Sequence, residues 1–331
     1  MVLSCCSPRR ECGKKRFRLV ILRSLHAYRG QPRGFLIARA TRIFPVYLLV
    51  FAVALAVRAP DYGLSAMPWI GPDSPVQILV SSGWPEGALV EIAAHLVMAH
   101  GLFPDAVLPH VWVRFLGAAW SLSTEWQFYV LALILAMRGM RDSRLVVFFL
   151  ALAAAGLGWH TLAPEGWVFS RAFLPNKAQY FALGIASAAV LARARGAGVM
   201  YLAVLVATLA ISFDQGGPGK MAAPLVWTFC LGAELGFLAP LAALLRHKAL
   251  LWLGVVSYPL YIAHEPIHKM LCMLLSRVAG GDGVVFTLLW LPSAILLPLA
   301  VAWWLHRAVE LPVQRWGRAI AAPRVVAVVG A

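Results

Sequence analysis

Three stretches carry side chains whose types and spacing could perform chemistry. Trp120-Ser121-Leu122-Ser123-Thr124-Glu125-Trp126-Gln127-Phe128-Tyr129 opens an apolar run that ends near Met137. At about 1.5 Å per residue, Glu125 lies on the order of 9 Å below Ala119. An acidic side chain at the centre of a membrane helix costs roughly 2.5–3.5 kcal/mol. Ser121, Glu125, Tyr129 and Ala132 share one helical face, a narrow polar seam. Glu125 is therefore either bonded to a neighbouring helix or turned to a polar cavity. In Leu253-Gly254-Val255-Val256-Ser257-Tyr258-Pro259-Leu260-Tyr261-Ile262-Ala263-His264-Glu265-Pro266-Ile267, the spacing puts Ser257, Tyr261, His264 and His268 on one face. An imidazole, phenols and a carboxylate in this density can move a proton or polarise a reacting group, although a single membrane histidine also serves as an interhelical hydrogen bonder. The third stretch, Gly34 to Tyr47, holds Arg39 and Arg42 three residues apart. They are either a basic anchor or a cationic pair that matches phosphate oxygens. His264-Glu265-Pro266-Ile267-His268 is formally His-Glu-x-x-His, but Pro266 would disturb the turn that sets the geometry of a zinc site.

The elements that must position these residues are membrane helices. The chain of 331 residues is 61% hydrophobic and 13% charged, against about 25% charged in soluble domains. Its mean hydropathy is +0.77. Apolar runs at 43–58, 119–137, 145–160, 178–193, 198–213, 222–245, 257–277 and 284–306 predict an all-α integral membrane protein, a polytopic bundle of about eight transmembrane helices. The net charge of +15 sits between these runs, so it implies no nucleic-acid partner. Residues 1–42 form a basic segment with eleven Lys/Arg and a single acid, Glu11. Residues 43–310 are the transmembrane domain and 311–331 a basic amphipathic tail. Arg138, Arg141 and Arg144, then Arg193 and Arg195, Arg246 and Lys248, and the basic C-terminus up to Arg324 alternate with acidic loops bearing Asp61, Asp73, Glu165, Asp214 and Asp282. That alternation places both termini in the cytoplasm. In the long outer loop, residues 88–103 carry helical periodicity interrupted by Glu91, His95 and His100, predicting an interfacial or re-entrant helix. The five cysteines have no metal spacing and imply no disulfide framework.

Trp120-Ser121-Leu122 with Glu125, Phe128 and Tyr129 resembles the signature of the multi-pass acyltransferase-3 family. Arg39-x-x-Arg42-Ile43-x-Pro45-x-Tyr47, Gly254-x-x-Ser257-Tyr258 with Leu260-Tyr261-x-x-His264-x-Pro266, a weaker Phe181-x-x-Gly184, and Arg307-x-x-Glu310-x-Pro312 are similar to its other motifs, in order. The resemblance implies a membrane-bound O-acyltransferase that moves an acetyl or other short acyl group from acyl-CoA to a hydroxyl of a surface or exported carbohydrate or glycolipid, in the bacterial cytoplasmic membrane. No bound cofactor is expected beyond this donor. It further implies Glu125, Tyr261 and His264 as catalytic candidates, Arg39 and Arg42 for the donor phosphates, and Trp120, Ser121 and Tyr129 toward the substrate. Family members normally have ten spans, the first bearing a catalytic histidine. This chain shows eight and is expected to lack the first two, and with them appreciable activity as written. Lys15 and His26 echo the spacing of that first span within residues too basic to cross a membrane. Rival readings are a proton-coupled small-solute transporter using Glu125 and His264, or a non-catalytic scaffold. The charge alternation makes a direct prediction. A single cysteine at position 214 should react with an impermeant reagent on intact cells and one at position 195 should not. The opposite pattern would overturn the topology.

Overall fold

The computed structural model describes residues 31–321 except 59–61, 64–66, 68, 72–73, 75–83 and 141. Lys15, His26, Asp61, Asp73, Arg141 and Arg324, on which parts of the topology reading rest, lie outside the described residues. The described residues are helices and turns, with an isolated antiparallel bridge between Pro104 and Phe169.

The first helix, α1, runs Pro32–Ala56 with proline at its start, where the missing N–H costs nothing. It begins eleven residues before the predicted span, which puts Arg39 and Arg42 inside the same helix. A short α2, Ala88–Leu96, covers the first part of the periodic stretch 88–103. Then follow α3 (Trp120–Met137), α4 (Asp142–Leu162), α5 (Ala178–Leu191) and α6 (Ala197–Asp214).

The predicted span 222–245 is not one straight helix. It is α7 (Pro218–Leu235) and α8 (Ala239–Leu245), bent by 100°. Gly236, at φ +93°, ends α7 in the left-handed conformation open to glycine, and Pro240 starts the next helix in a new direction. The chain continues as α9 (Lys248–Val278), unbroken through Pro259 and Pro266, and α10 (Gly283–Leu305), whose first turn is capped by Asp282. A π turn, His306–Glu310, leads into α11 (Leu311–Ala321).

Helices thus cover all eight apolar runs, but they differ in spanning power. Among the described residues, α1, Ser143–Leu162 within α4, α6 and the continuous stretch Gly283–Ala321 are long and apolar enough to cross a membrane, as is the bent α7–α8 pair if counted as one. The α5 helix reaches only about 21 Å, short of a hydrocarbon core of about 30 Å. The polar residues of α3 and α9 lower their hydropathy for the reason that makes them interesting.

Packing follows chain order. α4 lies on α5, α5 on α6, α6 on α7 and α9 on α10, while α11 returns to α1 and α9 crosses it. The centre holds Phe35, Tyr47, Phe51, Tyr129, Phe149 and Ile262, all essentially inaccessible. α2 docks on this centre through buried polar groups. The Tyr47 hydroxyl donates to the His95 carbonyl at 2.8 Å, and Glu91 pairs with Arg114 at 3.4 Å. Arg58 in turn donates to the Arg114 carbonyl. The α11–α1 contact depends on Gly317, because a Cβ there would overlap the Thr41 side chain. Gly317→Val should lower the melting temperature in detergent by an amount equivalent to about 1–3 kcal/mol of overpacking. Gly198→Ala, in open space on α6, should not lower it.

Candidate active site

The decameric stretch that opens α3 has two working faces. One is an anchor. The Ser123 hydroxyl, fully buried, donates to the Met98 carbonyl at 2.7 Å and accepts from the Gly101 amide at 3.1 Å. Thr124 and Gln127 both donate to the Ala172 carbonyl, and Gln127 Oε1 accepts from the Leu174 amide at 3.0 Å. Two connecting segments that would otherwise leave buried backbone groups stranded are stitched to the helix.

The other face meets α9. Ser121 Oγ donates to the Tyr261 hydroxyl at 3.1 Å, which leaves the phenolic proton of Tyr261 free to be donated elsewhere. One turn on, His264 Nδ1 lies 2.7 Å from the Tyr261 carbonyl. A carbonyl only accepts, so Nδ1 carries the proton and Nε2 keeps its lone pair. His264 and Tyr261 are accessible, not sealed in the core. Glu265 fixes the approach of the two helices: Oε2 accepts the Ala118 amide at 2.7 Å, just before α3, and Oε1 pairs with Lys269 at 2.8 Å. His268 instead meets the Ala294 carbonyl on α10 at 2.9 Å. The residues of the formal His-Glu-x-x-His are therefore turned to separate protein partners. Among the described residues no group of three His, Cys, Asp or Glu is arranged to hold a metal ion.

A second cluster lies deeper along the same seam. The Tyr129 hydroxyl donates to the Glu125 carboxylate. The Arg39 guanidinium lies 5.5 Å from the Tyr129 ring centroid and 5.8 Å from that of Phe35. Arg42 is within electrostatic reach of both Tyr129 and Tyr258. Tyr258 donates to the Ile43 carbonyl and so ties α9 to α1. From Ser121 to Tyr129 the helix advances about 12 Å, which sets the offset between the two clusters.

A sequence profile of the acyltransferase-3 family, described as an acyltransferase domain, matches residues 25–307. The chain belongs to the acyltransferase-3 family. No curated protein and no solved structure matches it. Membership makes this a membrane acyltransferase in general terms, and its eight candidate residues sort accordingly. Trp120, Ser121, Tyr261 and His264 gather where α3 starts, and Arg39, Arg42, Glu125 and Tyr129 gather deeper.

Sequence reasoning passed over several contributors. Arg171 stacks its guanidinium on Trp112 at 4.9 Å and Trp120 at 5.9 Å, from a loop with no motif to mark it. Glu265 stands in the sequence as a carboxylate of the His264 cluster and as the middle of a formal zinc motif, and neither marks its bond to the Ala118 amide. Ser123 and Gln127 sit inside the family signature yet serve the fold. His95 and His100 are fully buried, with rings stacked at 4.2 Å, and so are out of reach of any substrate.

This division of labour in the acyltransferase's α3 can be tested. Gln127→Leu strands the Leu174 amide and should cost about 1–3 kcal/mol of stability, read as a lowered melting temperature. Glu125→Gln keeps an acceptor for Tyr129 and should melt like the parent. Equal losses would erase the distinction between the faces.

Proposed function

We propose that the protein transfers an acetyl or other short acyl group from acyl-CoA to a hydroxyl of a cell-surface or exported carbohydrate, in the bacterial cytoplasmic membrane, with eight spans and both termini on the cytoplasmic side. The observation that carries this reading is the Ser121–Tyr261 hydroxyl bond between α3 and α9, with His264 Nδ1 held on the Tyr261 backbone carbonyl beside it, in a chain of the acyltransferase-3 family. His264 Nε2 takes the proton of the acceptor hydroxyl as its oxygen attacks the thioester carbonyl. Tyr261, its oxygen already accepting from Ser121, donates its proton as a hydrogen bond to the developing oxyanion. Collapse breaks the carbon–sulfur bond, and the coenzyme thiolate takes up the proton held by His264. The products are the ester and the free thiol.

Arg42, half-buried, meets the donor phosphates from the cytoplasmic side. Arg39 is buried over Tyr129 and holds the Tyr129–Glu125 pair in place. Glu125 orients the acyl end of the donor from the deeper cluster, and Trp120 lies toward the acceptor. The offset along α3 matches the two substrates' approach from opposite sides.

The test is transfer of radiolabelled acetyl to surface polysaccharide. His264→Ala should abolish transfer with membrane abundance unchanged. Tyr261→Phe should lower kcat by about 10²–10³-fold, the usual loss for one oxyanion donor, with KM for both substrates nearly unchanged. Arg42→Glu should raise KM for acyl-CoA. Full activity in His264→Ala would return that histidine to a structural role.

A further inference from the structure

Beside the Ser121–Tyr261–His264 line, three cations converge with no anion among them. Lys177 is the N-cap residue of α5. Its Nζ contacts Gln215 Oε1 at 3.1 Å and lies 5.9 Å from the Tyr180 ring centroid. Arg171 and Lys220, both exposed, flank Lys177: the Asn176 side-chain amide donates to the Ser170 carbonyl at 2.9 Å, and the Lys220 stem lies against Gly216, next to the Gln215 that Lys177 contacts. Among the described residues none of the three has a carboxylate within ion-pair distance. Their mutual repulsion shows in Lys177, whose ammonium is brought down to about 8, first by burial and then by Lys220 and Arg171. An anion seated here would relieve the repulsion and meet charge-assisted donors at once.

The cluster is continuous with the candidate active site. Arg171 lies over Trp112 and Trp120, and Trp120 directly precedes Ser121; Arg171 is also within electrostatic reach of Tyr261. Tryptophan rings that alternate with cations suit a molecule with flat C–H faces and a negative charge.

We propose that Arg171, Lys177 and Lys220 form an anion subsite beside the Ser121–Tyr261–His264 line, and that the acceptor carbohydrate carries a negative charge as a phosphate or a uronate carboxylate. The proposal rests on the reading of a carbohydrate acceptor above and narrows it to anionic saccharides. The charge is held near Lys177, at the start of α5, while a hydroxyl of the same sugar chain is presented at Tyr261 and His264.

The test uses the full chain in phosphatidylcholine nanodiscs, titrated calorimetrically with glucose, glucose 1-phosphate, glucuronic acid and inorganic phosphate. Each charged sugar should bind about tenfold more tightly than glucose, or better, as expected for one charge-assisted contact. High salt should reduce the difference. The double variant Arg171→Ala/Lys220→Ala changes only exposed side chains and should erase the preference, so that the charged sugars bind no more tightly than glucose. Equal binding of charged and neutral sugars overturns the subsite, as does a preference that survives in the double variant. Inorganic phosphate binding as tightly as glucose 1-phosphate overturns the saccharide part. Loss of the sugar-phosphate site in nanodiscs containing phosphatidylglycerol assigns the cations to lipid headgroups and also overturns it. Failure of the charge preference alone leaves acyl transfer to a neutral sugar standing. Failure of every sugar to bind removes both readings.

Discussion

Inside a bilayer a polar group must find its partner within the protein, because no water stands by to replace it. The helix Trp120–Met137 answers that demand twice, on opposite sides. Ser123, Thr124 and Gln127 spend their hydrogen bonds on the carbonyls and amides of residues 98–101 and 172–174. Ser121, Glu125 and Tyr129 turn to side chains of the same helix and of α9. The first set is closed: its partners are fixed backbone groups and, for Gln127, the Ser123 hydroxyl as well. The second has spare capacity, a phenolic proton on Tyr261 and an imidazole lone pair on His264, which reactions require.

The seam is held in register from its deeper end by α1 and the C-terminal helices. Tyr258 reaches the backbone of α1 at Ile43, where Pro45 lies two residues on. Glu310 is buried at the π turn, accepts from Gln314 and contacts His306 at 2.7 Å. The widened turn has a local cause. Pro312 has no N–H to offer the carbonyl four residues back and its ring crowds that carbonyl, so the helix opens before it. The closing motif of the family resemblance, Arg307 to Pro312, is thus a change of helical pitch that lets α11 return to α1.

Helix positions and the polar seam of α3 were legible in the sequence, since both follow from periodicity and from the cost of burying charge. So was the pairing of Tyr261 and His264, which one helical turn fixes. The 100° bend after Leu235 was not read, although Gly236 and Pro240 mark it; an apolar run shows hydropathy but not direction. The split of the motif between scaffold and site was hidden for a different reason. Ser121 and Ser123 are the same residue type two positions apart, and only the neighbours packed against each face separate their roles. Arg171 depended on a loop that folds back over Trp120, which no local pattern encodes.

The stacked imidazoles of His95, on α2, and His100, just after it, have a consequence outside catalysis. Burial pushes His95 down to about 4, and His100, with His95 beside it, well below its ordinary range. An unfolded chain takes up protons on both rings from about pH 6.5 downward, while the folded protein refuses them. Stability from this pair is complete above that value and drains away as the pH falls toward 4. Glu91, raised by burial against the pull of Arg114 and Arg58, works in the opposite sense and softens the loss near the lower limit. The loss falls on the contacts that seat α2, since His95 stacks on Phe51 and its carbonyl accepts from Tyr47.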